Sequence, residues 1–243
     1  MLQKTKRHGG SRLSISGRFY RILDRQRTRR KDKVLMPSKK EPENITVPGV
    51  VLQDCIITLV GDSPLICNKW SEKAKQEIRD KQMKVAKAAG REAKDPEKCF
   101  RDSLYAMPDG KAYGFPAIAF KAAAVNACSH IEGLTKVSAR GSFHIPCDLI
   151  EIKGKPVMRE DMVRVGMGAA DLRYRGEFTK WEADVPVRYN ANAWSIEQLI
   201  NVFNVAGFAS GVGEWRPQKN GNFGMFKVTN VTKIERSKNV KVA

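Results

Sequence analysis

The sequence predicts an α+β domain, and three observations carry that prediction. Four stretches have the two-residue period or β-branched content of strands, two have the apolar spacing of packed helices, and with the insertions set aside they follow as β-α-β-β-α-β. That order is the split arrangement called ferredoxin-like or RRM-like, with two helices on one face of a four-stranded antiparallel sheet. Insertions are expected after strand 1 (61–113, helical) and between strands 2 and 3 (154–180), within a domain spanning 49–243. Residues 1–48 are expected to form a basic, disordered arm and linker.

The arm is where the charge lies. Residues 1–40 hold 14 Lys and Arg against two acids, Asp24 and Asp32, which is +12 of the chain's net +18. Such a block repels itself and has few apolar residues to bury, so it reads as an arm on nucleic acid. A transit peptide, or a nuclear signal around RQRTRRKDK, is the other reading. Pro37, Pro42 and Pro48 mark a linker.

Strand 1 is predicted over 50–60, where VVLQDCIITLV ends at GDSP. Ser71 to Ala93 then has a helical pattern with charge on most faces. Its lysines suit a solvated, protruding helix, a nucleic-acid groove being the second reading. Asp95-Pro96 is expected to break it, and PDGK to turn between two short strands within 104–114. In GFPAIAFKAAAVNACSH, Pro116 suits a first helical turn, with Ile118, Ala122, Val125 and Cys128 expected on the packed face and Gly133 as the stop. The glycine before that helix offers its N-terminal amides as an anion seat, with Lys121 one turn on.

Strand 2 is predicted over 143–152 and strand 3 over 181–189. Between them 153–180 reads as irregular and basic, with Arg159, Arg164, Arg173 and Arg175 interleaved with Met167, Tyr174 and Phe178. That mixture of charge and stacking surface suits single-stranded nucleic acid, and also occurs on ordinary surfaces. The second core helix starts at Ser195, whose Gln198 three residues on completes a capping-box pattern, with Gly207 as its stop. A glycine-rich loop follows, GVGEWRPQKNGNFG, before a final strand over 222–234. Gly211 and Gly213 admit a close ligand backbone. The alternative is a tight helix-to-strand connection with Trp215 in the core and Arg216 solvated.

Several chemistries are not indicated. Cys55, Cys67, Cys99, Cys128 and Cys147 are odd in number and form no CxxC pair, so neither a disulfide framework nor a zinc site is expected, and a reducing, cytoplasmic setting is. No apolar run reaches the ~18 residues of a membrane span, and the N-terminus lacks the apolar stretch of a signal peptide. GxSxG and HExxH are absent, and only three His are present. No catalytic residue, metal or cofactor is therefore expected.

GFPAIAFKAA at the first helix, the basic insertion between the middle strands, and GVGEWRPQKNGNFGMF after the second helix together resemble the RAMP superfamily. The likeness is greatest to the repeated backbone subunits of CRISPR effector complexes, and covers about residues 50–234. It implies that Phe115, Pro116 and Lys121 form a helix-start motif, that Gly211, Gly213, Arg216, Gly221 and Gly224 form the glycine-rich loop, and that 154–180 forms a thumb. It also implies single-stranded nucleic acid as the partner, RNA favoured over DNA, with copies of the chain and other effector subunits along it. Asp161 and Asp171 fall where some such subunits carry an RNA-cleaving Asp. The expected nucleic-acid-binding set is Phe115, Lys121, Arg140, Arg173, Tyr174, Arg175, Gly211, Gly213, Trp215, Arg216, Lys219, Asn220 and Phe223, with Phe178 as a further stacking surface. A viral or mobile-element structural protein that coats single-stranded DNA is the alternative.

Overall fold

The computed structural model describes residues 49–85, 93–165 and 168–234. The predicted arm of residues 1–48, residues 86–92 of the predicted long helix, Met167 and the predicted basic tail lie outside the described residues. In chain order the elements are β1 (Leu52–Gly61), β2 (Leu65–Cys67), α1 (Glu72–Gln82), α2 (Pro96–Asp102), β3 (Tyr105–Ala106), β4 (Tyr113–Pro116) and α3 (Ala117–Ala127). They continue as α4 (Lys136–Ser142), β5 (Phe143–His144), β6 (Leu149–Glu151), β7 (Pro156–Val165), β8 (Ala169–Phe178), β9 (Glu182–Asn190), α5 (Ile196–Val205) and β10 (Phe226–Ile234).

The central sheet has the order β10-β1-β9-β5, and every neighbouring pair is antiparallel. Alternation sets its two faces. Cys55, Ile57 and Leu59 of β1, with Ala183, Val185, Val187 and Tyr189 of β9, are buried, and the residues between them are half-buried. On the buried face α3 and α5 contribute Phe120, Leu199, Val202 and Phe203. Their rings meet those of the strands, Phe120 with Phe226 at 6.1 Å and Phe143 with Phe203 at 5.9 Å between centroids.

Ser195 caps α5 as predicted: its Oγ accepts from Gln198 N at 3.2 Å, and Gln198 Oε1 accepts from Ser195 N at 2.9 Å. The helix does not stop at Gly207. A π-helical turn, Ala206–Ser210, extends it, and Gly211 (φ 62°) ends the run. Gly207 has a packing reason instead, since a Cβ there would stand 1.7 Å from the carbonyl oxygen of Phe226.

Other expectations are corrected. Predicted strand 2 divides: Phe143 and His144 pair with β9, whereas Leu149–Glu151 pairs with β4 in a second sheet, β3-β4-β6. Pro146, which has no N–H to give a ladder, stands between the halves. Residues 153–180 are not irregular. They contain the antiparallel hairpin of β7 and β8, paired from Pro156↔Phe178 to Val165↔Ala169, and β2 joins it at β8. Asp95-Pro96, expected to break the long helix, opens a second one, with Asp95 Oδ1 accepting from Lys98 N and Pro96 at the first position. Of the expected packed face of α3, Val125 and Cys128 are buried, together with Phe120, Ala123, Ala124 and Ala127, while Ile118 is 69% exposed and Ala122 is exposed. The helix α4 was not predicted. The last strand starts at Phe226, so Phe223 and Met225 belong to the loop. Among the described residues, no helix is long and apolar enough to cross a membrane.

Candidate nucleic-acid interface

A groove of about 780 Å³ runs between α1, α2 and β8. Three ties hold its walls. Lys69 N donates to Ser103 O at 3.0 Å, fixing the segment before α1 to the end of α2. Ser103 Oγ accepts from Gly176 N at 2.7 Å, fixing α2 to the hairpin. The Lys94 ammonium donates to the Asp171 carboxylate and to Leu172 O, so the entry of α2 is also fastened to β8.

Trp70, 60% exposed, and Tyr174 are the aromatic surfaces of this groove, with Lys69, Lys98 and Arg173 beside them. Arg175 lines it too, 5% exposed, with Nη1 donating to Asp161 Oδ2 at 3.1 Å. Its Nε is buried without a hydrogen-bond partner among the described residues. That nitrogen is sealed within the ion-pair face of the hairpin, on the side of the strand opposite to Tyr174.

Asn68 belongs to this groove and to a smaller pocket of about 300 Å³, between the first turns of α3 and the glycine-rich loop. Phe115, Gly211, Gly213 and Arg216 meet there, joined by Tyr105 and Glu214. Asn68 Nδ2 donates to Glu214 Oε1 at 2.8 Å, spanning the boundary between the two. Arg216 is held by its own loop, Nη1 to Gly213 O at 2.9 Å and Nε to Gln218 Oε1 at 3.1 Å.

So the structure gathers the predicted residues into two sites and disperses the rest. Phe115 is 5% exposed and packs edge-on against Tyr105 and Phe120, so it is a pocket floor rather than a surface for stacking. Phe178, expected to stack on bases, is fully buried. Arg175 is buried in an ion-pair network rather than displayed on the surface, because its strand faces Asp161 and Arg159 across the hairpin. Gly211 (φ 62°) and Gly213 (φ 82°) have backbone reasons to be glycine, and at Gly213 a Cβ would stand 2.6 Å from Ile66 O.

Phe223 lies under the Arg159 guanidinium, 4.7 Å from its ring centroid, which fastens the loop to the hairpin. Trp215 is neither core nor pocket: it is 45% exposed with φ 53°. Lys219 and Asn220 are exposed on the short turn after Pro217. Lys121 donates to His144 Nδ1 at 3.0 Å, and partial burial lowers its pKa from the ordinary lysine value. Arg140 is exposed on α4. The amide of Ala117, at the expected anion seat, already donates to Asp148 O at 2.9 Å. Asp161 pairs with Arg159 and Arg175, and Asp171 with Lys94 and Arg173.

The open face of the central sheet is a poor platform for bases. Its charged side chains are paired, Arg188 with Asp54 at 2.9 Å and Lys153 with Asp184 at 2.7 Å, and its described strands place no Phe, Tyr or Trp there. Sequence reasoning missed Asn68, Trp70, Tyr105 and Glu214. The signal for Trp70 was present: Lys69-Trp70 and Lys73 show the same interleaving of base and aromatic that drew notice at 164–178. Among the described residues no His, Cys, Asp and Glu cluster could hold a metal ion. Neither a scan against protein-family models nor a search of curated proteins finds a match for this chain.

Proposed function

We propose that this chain binds single-stranded nucleic acid, RNA in preference to DNA, with little regard to sequence along most of its length. The observation that carries the reading is the groove between α1, α2 and β8. It combines two aromatic surfaces, Trp70 and Tyr174, with Lys69, Lys98 and Arg173. Cationic grooves with aromatic platforms suit single strands because every base has a face to stack and every nucleotide a phosphate.

The reading is of a binding protein rather than an enzyme, acting in the cytoplasm. Support for the second point is that Cys55, Cys67 and Cys128 are buried as free thiols. The strand order β10-β1-β9-β5, with α3 and α5 on one face, supports a ferredoxin-like frame, in which the hairpin of β7 and β8 would take the part of the thumb that the RAMP resemblance implies. Copies of the chain would line up along the strand. Support for that is the exposed cross-strand pair Met162 and Leu172 on the hairpin, apolar surface available to a neighbouring copy.

Photocrosslinking tests the site. With the full chain and a uridine oligonucleotide, adducts are expected on peptides carrying Trp70 or Tyr174. Adducts confined to the open sheet face or to residues 1–48 would overturn the groove.

A further inference from the structure

We infer that the 300 Å³ pocket beside the groove is a subsite for one guanine base of the bound strand. The inference rests on the strand-binding reading above and adds a base preference to it. Size comes first: this pocket is at the low end of small-molecule sites, the scale of one base with its sugar rather than of a strand. Position comes second, because Asn68 lines both the pocket and the groove, so a strand in the groove needs only to turn one nucleotide inward.

The lining supplies the chemistry. Tyr105, Phe115 and Ile118 give an apolar bed for a base ring, and Ala119 and Ala122 leave the room for it. Across from that bed stand acceptors. Glu214 uses Oε1 for Asn68 Nδ2, which leaves Oε2 and the Asn68 carbonyl oxygen without protein partners among the described residues. Guanine is the base whose Watson–Crick edge offers two adjacent donors, N1–H and the N2 amine, to a carboxylate. Adenine and cytosine present a ring acceptor beside their amine, and uracil flanks its one N–H with carbonyls; each would set an acceptor against the Glu214 carboxylate. Arg216, whose Nη1 and Nε are committed to the loop, keeps Nη2 at the rim for guanine O6 or the adjoining phosphate. Burial, then nearby Cys67 and Glu214, raise the pKa of the Tyr105 hydroxyl, so it stays protonated beside that carboxylate.

The test uses the full chain with labelled oligo(A) strands in ribo and deoxyribo form, unmodified or carrying one guanine or one inosine, which keeps N1–H but lacks the N2 amine. The guanine strand is expected to bind roughly tenfold tighter than oligo(A), with inosine between them. Glu214→Gln, and Ala122→Leu, which fills the pocket from an exposed helix position, are each expected to bring the affinity ratio of the guanine strand to oligo(A) down to about one. Salt-dependent binding of all strands without a guanine preference, or a preference that survives both variants, would overturn the subsite and leave the groove standing. Binding to none of the strands would overturn the groove and the subsite together.

Discussion

Cys67 shows how burial sets chemistry at a single residue. It is fully buried at β2, and desolvation pushes its thiol pKa up to about 12 from the ordinary 9.0. In the unfolded chain the thiol ionises first, so its contribution to stability is complete below about pH 9 and is lost as pH rises toward 12. Over that window the slope is about 1.4 kcal/mol per pH unit. Urea midpoints should therefore fall further between about pH 8 and about pH 10 for the native chain than for Cys67→Ala, and equal falls would contradict the assignment. Gly207 is the steric counterpart. With Phe226 O standing 1.7 Å from where a Cβ would be, Gly207→Ala must part the π turn from β10, a cost of about 3 kcal/mol measurable as a lowered denaturation midpoint.

At the scale of elements, α5 depends on its reciprocal cap. Ser195→Ala should cost about 1 kcal/mol, and a circular-dichroism melt unchanged from the native chain would contradict the role given to the cap. This helix was legible because a capping box and an apolar stripe are local signals. The strand β1 was legible from its β-branched content, and in β9 Ala183, Val185 and Val187 alternate with Asp184, Pro186 and Arg188. The hairpin was not. Its alternating residues include Arg159, Asp161, Arg175 and Glu177, which satisfy one another within and across the two strands, and apolar periodicity does not register a face built from ion pairs. The same blindness turned Arg175 into a surface cation and Phe178 into a stacking ring. Sequence tells that charge and aromatics are near one another, but only the pairing register tells which are spent on the fold. The packed face of α3 was read in part, Val125 and Cys128 being buried, but its alanines carry little apolar signal, which left Ile118 in the pattern although it lies outside the core.

For the whole molecule the question is where the charge acts. Residues 1–40 carry +12, whereas 41–243 carry 30 Lys and Arg against 24 acids, and many of the latter are ion-paired within the domain. On the proposed reading, the folded part would recognise a strand through a few placed groups and stacking, while the basic segment would add affinity for any polyanion. Salt-titrated binding of labelled single-stranded RNA, single-stranded DNA and duplex tests this directly, with the full chain beside a Trp70→Ala, Tyr174→Ala double variant. The account predicts a single-strand preference with RNA foremost, and a log affinity that falls linearly with log salt by about 0.7 per phosphate contact. The double variant should keep a salt slope but lose roughly 1–3 kcal/mol per stacked base, and with it the preference for single strands. A double variant that binds single strands and duplex as the native chain does would contradict the groove. Recognition would then belong to the basic segment, and the folded domain to a structural subunit that makes protein contacts.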